Sequence, residues 1–349
     1  MLNKVYILSW NIHFFDYLYN LLKLLDIHSM LCIRYNKTYK KPMRKGGRTM
    51  FEITHLTKKF GDNLAVSDLN MVINPGQVMG LIGQNGAGKT TTFRTIVNFI
   101  TPTSGQITWD GHAISPQLKQ QIGFLPEERG LYQKWTVEEQ ILYFAELHGM
   151  KRSDARVSLQ DWMKRLDVVG KSTDRVQKLS KGNAQKVQLI GTVIFEPKFL
   201  ILDEPFTGLD PVNTEIMMSE ITRLKENGAR IIFSSHNMAG VEKLSDSLTM
   251  LRHGETVLQG KTADIRESFG RSELYLESDL ATAELKKIPG IISIEPEGIG
   301  RHLHLEDPAV GKIIFDTVTK TGYVPVFAHQ APTLDEIFRR EVAAVEMKE

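Results

Sequence analysis

The 349-residue chain is 24% charged and 42% hydrophobic, a globular composition that excludes collagen-like and low-complexity polymers and gives room for one large and one small domain. Its single cysteine, Cys32, excludes an internal disulfide and any cysteine-rich metal centre. The formal charge of +2 hides an asymmetry: residues 1–49 carry nine Lys and Arg against two Asp, and the remainder carries 34 against 39 Asp and Glu, so a +7 extension precedes a −5 body.

That basic N-terminal extension, residues 1–49, starts with an apolar run from Val5 to Phe15 that meets Asp16, Lys23 and Asp26. No uncharged stretch reaches the roughly 18–20 residues of a spanning helix. A signal peptide fits poorly, since only Lys4 precedes the apolar run and no small-residue cleavage pattern follows it. Two readings stand: a basic, amphipathic arm on a membrane surface, or residues upstream of the true start, with Met50 just ahead of the first strand-like run. The second is favoured, because a domain begins at Phe51 and needs nothing before it.

From Phe51 to about Gly270, short β-rich runs alternate with helical patterns, the rhythm of an α/β domain with a largely parallel sheet. Val78–Ile82, Phe199–Leu202 and Arg230–Phe233 read as buried central strands, while Phe51–Lys58, Gln106–Trp109, Leu248–Arg252 and Thr256–Gln259 read as antiparallel ones. A polar, helical insertion occupies residues 136–174. It opens on the capping box Thr136-Val137-Glu138-Glu139 and carries an apolar stripe of Ile141, Leu142, Phe144, Ala145 and Leu147. Beyond Gly270 the order becomes strand, helix, strand, strand, helix, strand and a closing helix at Thr333–Phe338. This suggests a separate small α+β domain over residues 271–349, compatible with a ferredoxin-like unit.

The strongest local signal is Gly83-Gln84-Asn85-Gly86-Ala87-Gly88-Lys89-Thr90, a complete G-x-x-x-x-G-K-T between a strand and a helix. Small residues let backbone amides curl around phosphate oxygens, and the helix N-terminus adds positive potential. Lys89 can then reach the β- and γ-phosphates, and Thr90 offers a hydroxyl to Mg²⁺. Downstream, Phe199-Leu200-Ile201-Leu202-Asp203-Glu204 reads as a buried strand that delivers Asp203 to the metal shell and Glu204 to the attacking water. Alone, Asp203-Glu204 could equally be a solvated loop pair; the P-loop 114 residues earlier favours the catalytic reading.

Those two motifs define a P-loop NTPase. Leu179-Ser180-Lys181-Gly182-Asn183, which opens a helix 23 residues ahead of Asp203, resembles the signature of the ABC ATPase family at three of five positions. Gly208-Leu209-Asp210 resembles that family's D-loop, His236 its switch histidine on the γ-phosphate, and Phe60 its adenine-stacking aromatic. Alone, Phe60 reads as packing and His236 as a surface or core histidine. The resemblance spans residues 51–260 and implies an ABC ATPase domain over residues 51–270. It implies ATP contacts at Phe60, Gly83, Gln84, Asn85, Gly86, Ala87, Gly88, Lys89, Thr90, Thr91, Ser180 and Gly182. Mg²⁺ would be held by Thr90, Asp203 and Glu127, with Glu204 and His236 as the hydrolytic groups. It further implies a second ATPase domain docked head to tail, a separate integral-membrane permease, and a place on the inner face of the cell membrane. The insertion helices and the Glu127 loop would be the surface coupled to that permease.

The sequence departs from the family pattern in three places. Glu127, in Gly123-Phe124-Leu125-Pro126-Glu127-Glu128-Arg129-Gly130, stands where the family carries glutamine; Lys181 replaces a glycine and Asn183 the signature glutamine. Glu127 adds a negative charge and Lys181 a positive one near the expected γ-phosphate, so the two are either electrostatic complements or independent solvated side chains. Together with the small C-terminal domain, these motifs look like the sodium-efflux (Nat) branch and its uncharacterised export relatives, which favours an exporter of unread cargo. A non-transport ABC ATPase acting on ribosomes or nucleic acid is the alternative. One P-loop, one signature and only a sparse run of basic residues argue against it, and no nucleic acid is expected. A regulatory nucleotide binder without turnover is disfavoured by Glu204 and His236. His302 and His304 alternate along a strand and share one face; without further ligands they are not read as a metal site.

Overall fold

The computed structural model describes residues 50–128 and 130–346; the basic extension 1–49 and Arg129 of the Glu127 loop lie outside the described residues. The described chain opens on an antiparallel hairpin, β1 (Phe51–Phe60) and β2 (Asn63–Ile73). Strand β2 escaped the sequence reading because its alternation is broken: its pairing with β1 shifts between Leu69 and Val66 and again between Val66 and Leu64, and Asp68 sits at φ 48°. The P-loop strand β3 (Val78–Ile82) leads into α1 (Lys89–Ile96), followed by β4 (Ser104–Trp109), β5 (His112–Ala113), the short α2 (Pro116–Lys119) and β6 (Ile122–Leu125). Strands β2-β1-β4-β5 form one antiparallel sheet.

The insertion supplies α3 (Val137–Leu147) and α4 (Arg152–Arg165), and both pack on α5 (Lys181–Val193), the helix that follows the signature. Thr136 caps α3 as expected, its hydroxyl accepting the Glu139 amide while the Glu139 carboxylate accepts the Thr136 amide. Ile141, Leu142 and Ala145 are fully buried, but Leu147 is exposed at the last turn and drops out of the stripe.

Strands β7 (Phe199–Leu202) and β8 (Arg230–Ser234) alternate with α6 (Pro211–Glu226) and α7 (Met238–Leu244), and β9 (Ser247–Arg252), β10 (Glu255–Lys261) and α8 (Thr262–Ser268) complete this part. The second sheet runs β10-β9-β3-β8-β7-β6, parallel throughout except for the β9–β10 hairpin. Its strands β3 and β7 are apolar at every position, and β8 at its three middle ones, because both faces are covered. Val78, Ile82, Leu200, Leu202, Ile231 and Phe233 belong to the core shared with helices α3 to α7, whereas Met79, Leu81, Phe199, Ile201 and Ile232 face α1 and the antiparallel sheet.

Strand β11 (Glu273–Glu277), α9 (Thr282–Leu285), β12 (Ile291–Glu297), β13 (Gly300–Leu305), α10 (Ala309–Thr321) and β14 (Val326–Gln330) form an antiparallel sheet in the order β12-β13-β11-β14. This βαββαβ order is that of a split βαβ, ferredoxin-like unit. It has its own core around Leu274, Leu276, Leu303, Ile314 and Val318.

The closing helix α11 (Leu334–Glu346) packs against α7, and Leu334 and Ile337 join the large ATPase-side core rather than the core of the small sheet. Polar contacts fix it there. Glu242 accepts the Leu334 amide at 3.2 Å and pairs with Arg266, whose guanidinium also donates to the carbonyls of Ala331 and Pro332. Ile337→Ala is expected to lower the unfolding free energy by roughly 2–5 kcal/mol through lost apolar burial and the cavity left behind. A chemical-denaturation midpoint equal to that of the parent would overturn this placement.

Candidate functional site

The parallel pairing of β3 with β8, β8 with β7, and β7 with β6 puts the carboxyl ends of four strands on one edge of the sheet, where open α/β sheets bind ligands. Four segments leave that edge side by side: the P-loop, Ser235-His236, Asp203-Glu204 and Pro126–Glu128. The order of strands, not proximity in sequence, assembles them.

In the P-loop, Gln84, Asn85 and Gly86 form the exposed rim, Gly83 and Ala87 to Lys89 are buried, and Thr90 and Thr91 are half-buried at the start of α1. Gly88 takes φ 107° at the helix N-cap, where a Cβ would meet the Ala65 carbonyl oxygen of β2 at 2.4 Å. Only glycine fits this approach. The Lys89 ammonium donates to the carbonyls of Gly83 at 2.7 Å and Gln84 at 3.1 Å. Burial pulls its pKa below the ordinary lysine value, and the charges of Glu204, Asp203 and Glu127 oppose that shift. All three acidic side chains therefore act on one buried cation.

A hydrogen-bond chain ties the Walker residues together. The Thr90 hydroxyl donates to Asp203 Oδ2 at 3.0 Å, the Ser234 hydroxyl donates to Asp203 Oδ1 at 2.6 Å, and the Glu204 amide donates to Ser234 Oγ at 2.9 Å. Glu204 sits in the left-handed region at φ 51°, uncommon for a non-glycine residue and held by its surroundings. Its side chain is buried, and that burial raises its carboxyl above the ordinary glutamate range against the opposing charges of His236 and Lys89. His236 Nε2 lies 3.1 Å from Glu204 Oε1, on a half-exposed imidazole. A glycine-rich loop at a helix N-terminus, an ammonium, a hydroxyl–carboxylate pair and a buried carboxylate are groups that suit a triphosphate and its attacking water.

Glu127 is exposed on a loop suspended from α5: the Gln188 amide donates to the Pro126 carbonyl at 3.1 Å. Ser180 and Gly182 lie elsewhere. Ser180 is the N-cap of α5, its hydroxyl accepting from the Asn183 amide at 3.3 Å and the Asn183 side chain at 3.1 Å, and Gly182 borders Leu209 of the D-loop. Phe60 ends β1, half-exposed, with Lys58 Nζ 4.7 Å from its ring centroid. Among the described residues, Ser180, Gly182 and Phe60 share no side-chain hydrogen bond or ion pair with the P-loop group.

Two contributors were missed: Ser234 joins Asp203 to Glu204, and Gln188 hangs the Glu127 loop. Asn183, read from sequence only as a departure from the signature, holds both Ser180 and, through Oδ1, the Val169 amide at 3.0 Å. The available signal was a run of polar residues, Gln185, Lys186 and Gln188, on a helix buried on all sides.

The chain matches the ABC transporter family over residues 66–207 and the C-terminal domain of DrrA1-3-like ATP-binding proteins over residues 260–342. It is 41% identical over 296 residues to YhaQ, an uncharacterized ABC transporter ATP-binding protein of Bacillus subtilis, covering 85% of this chain and 99% of that protein. The ABC transporter ATP-binding protein NatA of the same organism is 37% identical over 227 residues, covering 63% of this chain and 92% of NatA. Nod factor export ATP-binding protein I of Rhizobium etli is 31% identical over 220 residues, covering 62% and 70%. A solved ATP binding subunit of an ABC transporter superposes with a TM-score of 0.60 at 30% identity, covering 64% of this chain and 94% of its own. Likeness along nearly the whole length of YhaQ, joined to a P-loop, Walker carboxylates and histidine on one sheet edge, places the chain in the ABC transporter family as an ATP-binding subunit and ATPase.

Proposed function

We propose that this subunit drives export through a separate membrane permease, working as a pair of ATPase domains that close on Mg²⁺-ATP at the inner face of the membrane. The observation that carries the hydrolytic reading is the hydrogen-bond chain from Thr90 through Asp203 and Ser234 to the Glu204 amide, with His236 Nε2 3.1 Å from the Glu204 carboxylate. Thr90 Oγ1 and Asp203 Oδ2, 3.0 Å apart, are the hard oxygen donors that suit Mg²⁺, with Glu127 a further carboxylate on the loop that leaves the neighbouring strand β6. Bound there, the ion would neutralise phosphate charge.

Glu204 accepts the proton of the attacking water. Its raised pKa brings it closer to the operating pH, which improves a general base, and His236 beside it can contact the γ-phosphate. Ser180, at the exposed N-terminus of α5, would meet the γ-phosphate held by the opposite subunit, and Phe60 would stack on adenine. No described helix is long and apolar enough to cross a membrane; the separate permease is supported by the likeness to ATP-binding subunits of ABC transporters. The half-buried aromatic group Tyr132, Trp135 and Tyr143, between the Glu127 loop and the insertion, is the surface we assign to that contact. Export as the direction is supported by the likeness to the Rhizobium export protein, to NatA and to DrrA-type C-terminal domains; the cargo follows from the permease.

Glu204→Gln is expected to reduce ATP turnover at least a hundredfold while ATP binding persists; turnover within threefold of the parent would show that the base is another group. The raised carboxyl also has a stability signature. Its contribution to the folded state is complete below the unfolded glutamate pKa and is lost as pH rises through the raised folded value. Glu204→Gln should therefore raise the melting temperature of the nucleotide-free protein at pH 8 and have little effect near pH 4.

Ser234→Ala removes the donor to Asp203 and the acceptor for the Glu204 amide together. A loss of about 1–3 kcal/mol of positioning corresponds to a tenfold to hundredfold lower kcat at nearly unchanged nucleotide affinity. A wild-type kcat in this variant would remove Ser234 from the mechanism. Glu127 and Lys181 are proposed to compensate across the dimer. In a double-mutant cycle of Glu127→Gln and Lys181→Gly read by ATPase rate, strictly additive effects would end that proposal.

A further inference from the structure

The cleft between the small antiparallel sheet and the closing helix encloses about 340 Å³ and is lined by Glu273, Tyr275, Glu297, His302 and Glu336, among others. Glu273, His302 and Glu336 come from β11, β13 and α11, and each offers one donor atom within 4.8 Å of the other two. We propose that these three side chains bind a divalent cation of the Zn²⁺ class, one that accepts mixed nitrogen and oxygen donors, and thereby clamp the C-terminal module to the helix docked on the ATPase domain.

The donor set is more than a patch of acids. His302 Nε2 stands 3.2 Å from Glu273 Oε2, close to the roughly 3.3 Å separating two ligand atoms that share a tetrahedral ion about 2 Å from each. The far oxygens of the two carboxylates are engaged elsewhere. Glu273 Oε1 receives His304 Nδ1 at 2.7 Å and the Arg340 guanidinium, and Glu336 Oε2 accepts the Thr333 amide at 2.7 Å. His302 Nδ1 faces Glu297 Oε2 at 3.8 Å, near enough to feel its charge and too far for a hydrogen bond. Three carboxylates against one guanidinium give the cleft an acidic lining, which favours a cation.

The pairing of His302 with His304 on one face looked insufficient from sequence, since the two histidines divide the work: His302 faces the other two donors, and His304 braces the opposite oxygen of Glu273. Because Glu336 lies on α11, whose Leu334 and Ile337 are packed in the ATPase-side core, an ion here would join two cores that the chain otherwise links by hydrogen bonds and ion pairs.

The test is titration calorimetry of the full, nucleotide-free protein with ZnCl₂, with thermal melts in Zn²⁺ and after EDTA. The expected result is one equivalent bound in His236→Ala protein as in the parent, a melting temperature raised by Zn²⁺ and restored by EDTA, and affinity at least tenfold weaker in both His302→Ala and Glu336→Gln. Absence of binding at hundred-micromolar Zn²⁺, or undiminished affinity in either cleft variant, overturns the proposal. Loss of binding in His236→Ala alone would assign the ion to the nucleotide edge and overturn it equally.

Discussion

Strand β8 separates the strand that enters the P-loop from the strand that ends at Asp203, and its last residue, Ser234, hydrogen-bonds to the Asp203 carboxylate and to the Glu204 amide. The site depends on that interaction. Asp203 and Glu204 point in different chemical directions, one toward the Thr90 hydroxyl and the other toward His236. A single serine with one proton to give and lone pairs to offer fixes the backbone turn between them. The turn places Glu204 at positive φ, which costs on the order of 1 kcal/mol or more in the absence of compensation. The sheet supplies the compensation: Leu202 and Phe233 are fully buried and in register, so the strand ends cannot drift apart without opening the core.

What could be read from the chain follows from which interactions are local. The central strands announce themselves because a parallel sheet covered on both faces demands unbroken apolar runs, and the P-loop does so because its glycines answer to steric limits within eight residues. Strand β2 did not, since irregularities between Leu69 and Val66 and between Val66 and Leu64, with the turned backbone of Asp68, break the period-two pattern that marks a strand. Gln188 and Ser234 were not assigned roles for a related reason. Their partners, the Pro126 carbonyl and the Asp203 carboxylate, lie 62 and 31 residues away, and only the folded sheet edge makes them neighbours.

The departures from the family pattern acquire distinct physical contexts. Asn183 is shorter than the signature glutamine it replaces, yet it spans Ser180 and the Val169 amide, so the shorter side chain closes the helix N-terminus on itself and on the preceding loop. Glu127 adds a charge to the field at Lys89 while its loop hangs from the signature helix by Gln188. The loop that carries the extra anion and the helix that carries Ser180 are therefore one mechanical piece, and the insertion helices α3 and α4 rest on that same helix.

The C-terminal module is attached at a point adjacent to the chemistry. Helix α7 starts at Met238, two residues after His236, and its buried Val241 and Leu244 and its Glu242 carboxylate form the seat of the closing helix. Arg252, at the end of β9, donates to the Glu341 carbonyl at 2.8 Å, and Arg340 reaches back to Glu273 in the small sheet. The closing helix thus puts its apolar residues and several polar contacts on the ATPase side, and reaches the small sheet through the Arg340–Glu273 ion pair. Charged groups therefore stand on both sides of the helix: Glu242 and Arg266 anchor its start on the ATPase side, and Arg340 reaches Glu273 beside His302 and Glu336, so its docking rests on apolar burial in one core and on ion pairs at both ends of the seat.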